Sequence, residues 1–223
     1  MSPSVPDRPR GPGLRRDAAR NRTKILRAAG RSFGEDGLEV GVESIAHRAG
    51  VGVGTLYRRF PTKESLIEAV VHELLHDVGD AARAALTVEP AADGLAAFLR
   101  SAAALQVEHR GCLGRLWDDR AHDPIRQEIE ASVRELLGRA HRGGTVRRDI
   151  AYEDVVVMLW SIRGVVESTA WVAPDAWRRH VDLLLGAVRP DAPAPGYPPM
   201  DASQLRAALD ARRRPPGRGP AGA

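Results

Sequence analysis

Residues 41–60 read GVESIAHRAGVGVGTLYRRF, and this stretch decides the fold. Ala46, Gly50 and Leu56 follow one another at spacings of four and six residues. Two short helices that cross steeply need a small residue where they meet, and Ala46 supplies it. The tight turn between them needs a residue that tolerates positive φ, and Gly50 supplies that. The second helix needs an apolar anchor facing the first; Leu56 fits, with Ile45 and Val51 completing a small core. Helical periodicity then leaves Gly52, Val53, Thr55 and Arg58 on the outer side, where they can enter a DNA major groove. An ordinary helix corner with no nucleic-acid role shares this spacing, so the flanking residues carry weight. Tyr57, Arg58, Arg59 and Lys63 cluster at the exit of the second helix, where phosphate contacts would sit. Arg15, Arg16, Arg20, Arg22 and Lys24 lead into the preceding helix, where an arm could touch DNA.

Around this corner nearly every segment has helical period. Ile25, Leu26, Ala29 and Phe33 form one stripe, ended by Gly34 and Gly37. Leu66, Ile67, Val70, Val71, Leu74, Leu75 and Val78 form a longer one after Pro61, with Thr62 as its N-cap. Further stripes follow Pro90 and Pro124, and residues 152–172 and 175–188 supply two more. No convincing alternating strand occurs, so the fold class is all-α. The expected layout is a disordered basic arm over 1–16, a helix-turn-helix domain over 17–62 and a helical body over 63–188. A Pro- and Arg-rich tail over 189–223 is expected to be disordered apart from a short Ala-rich helix at Ala202–Arg212.

Charge supports a division of labour. Residues 1–66 carry 13 Lys and Arg against 7 Asp and Glu, whereas residues 67–188 carry 14 against 19. A basic front on an acidic body suits a protein that meets a polyanion with one end. A hydrophobic content of 43% is enough for a sizeable core. No apolar run is long enough to span a bilayer and no signal-peptide stretch opens the chain, so the expected location is cytoplasmic. The single cysteine, Cys112, cannot form an internal disulfide and reads as a small helix residue.

His72-Glu73-Leu74-Leu75-His76 is a literal HExxH, the signature of zinc hydrolases. Two histidines one turn apart can bind zinc with the glutamate as general base. The position where extended motifs place a third ligand holds Ala82, which leaves Glu89, Glu108 and His109 as distant candidates. The helix sets His72 and His76 roughly opposite its apolar stripe, and an all-helical chain lacks an edge strand to align a substrate. The expectation is therefore no enzyme, no metal and no cofactor, with the hydrolase as the alternative.

In the body, residues 155–166 are apolar nearly all round, and a helix of that kind must be covered on every side. A second copy of the chain is the simplest cover. Val165, Trp177, Val181, Leu184 and Leu185 are the candidates for an isologous four-helix interface, with burial inside one monomer as the alternative. Trp117, Met158, Trp160 and Arg163 are candidates to line a ligand pocket, and Asp118, Asp119 and His122 form a polar turn that could close it.

ILRAAGRSFGEDGLEV at 25–40, followed by VESIAHRAGVGVGTLYRRFPTKESLIEAVV at 42–71, resembles the N-terminal domain of TetR/AcrR-type regulators. The resemblance implies a homodimer that binds a palindromic double-stranded DNA operator, usually as a repressor, and responds to a small-molecule effector. It implies phosphate contacts from Tyr57 and Lys63, and places Thr55 and Arg58 against bases or backbone. It also implies that the connector helix from Lys63 to about Leu86 transmits the effector's signal. Three positions depart from the common pattern. Gly41 stands where Thr often caps the first helix of the corner, Gly52-Val53 where Ser-Lys is common, and Arg59 where an aromatic or His is common. Val53 would then meet thymine methyl groups, and the backbone would carry a larger share of binding.

Overall fold

The computed structural model describes residues 12–116 and 123–212 of the 223-residue chain. Among these residues every regular element is helical. The order is α1 (Pro12–Asp36), α2 (Val42–Ala49), α3 (Val53–Arg59), α4 (Lys63–Ala85) and α5 (Ala91–Glu108). A 3-10 turn (Arg110–Arg115) follows, then α6 (Asp123–Arg142), α7 (Tyr152–Thr169), α8 (Ala176–Ala187) and α9 (Ala202–Arg212). The candidates Trp117, Asp118, Asp119 and His122 lie outside the described residues.

Local signals account for the element boundaries. Thr62 and Ser65 form a reciprocal cap on α4, with Ser65 N–H donating to Thr62 Oγ1 at 3.0 Å and Thr62 N–H donating to Ser65 Oγ at 3.2 Å. The Asp154 carboxylate accepts from the Ala151 N–H at 2.8 Å and starts α7. Gly37, at φ 78°, closes α1.

Two apolar cores share the α4 helix. The first gathers α1, α2, α3 and the early part of α4 around Phe33, Ile45, Leu56, Leu66 and Val70, and takes in Cys112 from the 3-10 turn. The second gathers the end of α4 with α5, α6, α7 and α8 around Leu95, Phe98, Leu99, Leu136 and Ile162. Burying one such side chain stabilises the fold by about 2 kcal/mol, so α4 is held firmly at both ends.

Four features differ from the sequence reading. Helix α1 begins at Pro12, inside the stretch expected to be disordered, because proline suits a first helical turn, where its missing N–H is not needed. Gly34 lies within α1 and does not end it; its lack of a Cβ lets the Glu108 carbonyl approach to 2.8 Å from the Cβ position. The C-terminal segment packs back on the body, with the Arg147 guanidinium donating to the carbonyls of Pro193 and Ala187. Proline excludes that segment from a helix interior but not from an extended strap. Trp177 and Val181, expected at a dimer surface, are buried in their own chain's second core. α8 turns that side of its amphipathic face toward α5 and α7.

Candidate nucleic-acid interface

The corner is built as its sequence requires. α2 ends on Gly50 at φ 65°, ψ 35°. The Gly50 N–H donates to the His47 carbonyl and the Val51 N–H to the Ala46 carbonyl, both at 3.0 Å. A residue with a Cβ is strained in that left-handed conformation. Ile45, Ala46 and Leu56 are buried where α2 and α3 meet, with Val51 half-buried beside them. Arg48 pairs with Glu35 and Asp36 and fastens α2 to the end of α1. Gly41 and Gly52 occupy the N-cap positions of α2 and α3 without a side-chain cap.

The outer face of α3 faces solvent. Gly52, Val53, Gly54, Tyr57, Arg58 and Arg59 are exposed. Val53 at 37% and Tyr57 at 42% are large apolar groups left open on a helix whose opposite side is packed. Arg58 Nη2 donates to Thr55 Oγ1 at 3.0 Å, so Thr55 orients the guanidinium. Lys63 opens α4 immediately beyond this face. On α1, Arg20 is exposed. Arg22 is turned inward, donating to Glu73 at 3.2 Å and tying α1 to α4.

That ion pair bears on the HExxH stretch. Its glutamate is engaged by Arg22, and the His72 and His76 rings meet edge-on with Nε2 atoms 3.1 Å apart. Glu89 is paired with Arg139. Among the described residues no group of three His, Cys, Asp or Glu side chains could hold a metal ion. No described helix is long and apolar enough to cross a membrane.

A cavity of about 540 Å³ opens among α4, α5, α6 and α7 and is bordered by α9. Trp160 and Arg163, two of the pocket candidates, line it together with Leu74, Gln106, Arg126, Tyr152 and Leu159. Met158 does not join them. It faces a separate hollow beneath the C-terminal strap, because two residues along a helix point to different sides. Gln106 donates to the Leu159 carbonyl at 3.3 Å, while its buried Oε1 has no hydrogen-bond partner. Tyr152 lies under the Arg134 guanidinium, 4.4 Å from ring centre to Cζ, and burial raises its phenol above the ordinary value. Gln106, Arg126 and Tyr152 escaped the sequence reading because the cavity draws single residues from separate helices, and no local spacing announces them.

The 3-10 turn joins the cavity to the corner. Arg163 donates to the Leu113 carbonyl at 3.1 Å, and Arg126 donates to the Leu116 carbonyl. At the other side, a Cβ on Gly111 would fall 1.8 Å from the Phe33 carbonyl oxygen of α1. The two backbones touch there, so displacement of the turn must displace α1.

Residues 25–70 match the family described as bacterial regulatory proteins, tetR family. Residues 89–191 match the C-terminal domain of SbtR-like transcriptional regulators. The TetR transcription regulatory protein from Mycobacterium vanbaalenii is 32% identical, with a TM-score of 0.61 over 79% of this chain and 99% of that one.

The chain belongs to the TetR family.

A second TetR structure, SCO0520 from Streptomyces coelicolor, is 34% identical with a TM-score of 0.61, covering 77% of this chain and 99% of that one. An HTH-type transcriptional regulator of Staphylococcus aureus (strain USA300) is 41% identical over 59 residues, 26% of this chain. That match spans 32% of the relative's own length. As a TetR protein the chain is a transcription regulator with an all-α, two-domain layout, and the α2–α3 corner is its helix-turn-helix.

Proposed function

We propose that this TetR protein is a ligand-responsive repressor that binds a palindromic operator as a homodimer through the outer face of α3. The exposure of Val53, Tyr57 and Arg58 on a helix otherwise anchored by Leu56 carries the reading. Tyr57, Arg59 and Lys63 contact phosphates, with Arg20 adding a contact from α1. Arg58, positioned by Thr55, meets bases or backbone, and Val53 meets thymine methyl groups. Gly41 and Gly52 let backbone amides approach the DNA.

The dimer forms through α7 and α8. Leu183 is 60% exposed, and Val165, Leu184 and Leu185 are partly open beside it. Trp171 and Val172, at 78% and 85% exposed in the α7–α8 connection, extend this apolar surface. A partner copy over these residues presents two α3 helices about 34–36 Å apart, one helical turn of DNA.

The cavity takes the effector. Its volume suits a small molecule. Arg126, Arg163 and Arg206 balance Asp123, Glu130 and Asp210 around it, so no net charge favours an ion. The unpartnered Gln106 Oε1 favours a largely apolar ligand carrying a hydrogen-bond donor. Its arrival near Arg126 and Arg163 shifts the 3-10 turn, and through Gly111 and α4 it changes the separation of the two α3 helices.

The test is equilibrium binding to DNA from upstream of the protein's own gene. Wild type should bind with a midpoint that rises steeply with salt. Tyr57→Ala and Arg58→Ala, with unchanged thermal unfolding, should each bind at least about tenfold more weakly. Undiminished binding by both variants would sink the site assignment.

A further inference from the structure

The match to the C-terminal domain stops at residue 191, and the chain runs on past it to the edge of the effector cavity. The path there is fixed at one place. Arg147, only 8% exposed, holds Asp149 with Nε at 2.9 Å and reaches across to the carbonyls of Ala187 and Pro193. This clamps the start of the strap to the body.

Helix α9 then starts on a cap of its own. The Asp201 carboxylate accepts from the N–H groups of Ser203 and Gln204 at 2.7 and 2.8 Å. Gln204 Oε1 accepts from the Asp201 N–H at 2.9 Å, completing the reciprocal cap. Ala202, Ala207, Ala208 and Ala211 give the segment high intrinsic helix propensity. Eleven residues are marginal as a helix alone, and the cap and the alanines lower the cost of forming it.

Its attachment to the body is slight. Among its described side chains only Leu205 is buried. One turn further on, Leu209 lines the effector cavity with Arg206 and Asp210 beside it. The remaining described walls come from α4 to α7 and the end of the 3-10 turn, which are fixed in the two cores. One wall of the cavity thus rests on one fully buried side chain, with Ala208, Leu209 and Asp210 half-buried beside it, on a tether clamped at Arg147. A segment with so few buried contacts opens locally without disturbing the fold, and its tether keeps it close enough to re-dock.

We propose that α9 is a tethered lid of the cavity, which docks through Leu205 and swings away to admit the effector, then closes Leu209 and Arg206 over it. This rests on the cavity being the effector site, and the experiment separates the two. The full-length chain is labelled with 5-fluorotryptophan, and the Trp160 and Trp177 signals are assigned by their loss in Trp160→Phe and Trp177→Phe. Exposure is read from the broadening of each fluorine signal by a soluble nitroxide. In Leu205→Ser, which undocks the helix, and in Ala208→Pro, which breaks it, Trp160 broadening should rise at least about twofold while Trp177 in the core stays unchanged. Unchanged Trp160 broadening in both variants would overturn the lid. A matching rise at Trp177 would also overturn it, since α9 would then be part of the core. Anilinonaphthalene sulfonate serves as a cavity probe: both variants should release it at least about fivefold faster than wild type. If it binds none of the three proteins, the cavity reading fails, while the Trp160 result still decides the lid.

Discussion

Gly50 holds φ 65° at the turn of the helix-turn-helix, a conformation that costs a residue with a Cβ about 1–2 kcal/mol. Gly50→Ala should therefore lower the unfolding free energy by that amount and bring the urea midpoint down with it, and an unchanged midpoint would contradict the geometry. His109 makes a different prediction. Its ring is packed beneath Gly30, and burial pushes the imidazole below its ordinary value, while Glu108 and Asp77 pull it back up. Arg27 and Glu73 line the same cleft. A histidine harder to protonate folded than unfolded gives full stability above its unfolded value, about 6.5, and loses it as pH falls toward its folded value. His109→Gln should flatten the loss of stability between about pH 7.5 and 5.5 in urea melts. An equally steep loss would show that other groups govern it. Cys112, fully buried with its thiol pushed up to about 12 by burial, should resist thiol reagents near pH 8 until the chain is unfolded.

Elements divide into those that announce themselves and those that do not. The corner was legible because its demands are local: a small residue, a left-handed glycine and an apolar anchor within eleven residues of one another, at Ala46, Gly50 and Leu56. The cap at Thr62 was legible for the same reason. The inward turn of Arg22 was not, because it depends on Glu73, distant in sequence. The separation of Met158 from Trp160, the burial of Trp177 and the strap held by Arg147 likewise follow from packing between distant helices. The contact between α1 and the 3-10 turn is of this kind too. Gly111→Ala would drive a Cβ into the Phe33 carbonyl, and overpacking of that sort costs about 1–3 kcal/mol. Urea denaturation should show that loss; a neutral substitution would mean that the two elements are not in rigid contact.

At the scale of the whole molecule, the proposed function requires two copies. One α3 helix reads few bases, and a basic front over an acidic body orients each copy toward DNA. Leu183 is the exposed apolar centre of the proposed interface. Leu183→Glu should convert a dimer to a monomer in light scattering and weaken operator binding, without lowering the helical signal in circular dichroism. A dimer that persists in this variant would place the interface elsewhere.

The most direct test of the account is a hydroxyl-radical footprint on the palindromic operator. Wild type should protect two patches centred one helical turn apart on one face of the duplex, and Arg58→Ala should lose both together at the same protein concentration. A single protected patch, or a footprint indifferent to Arg58, would contradict it.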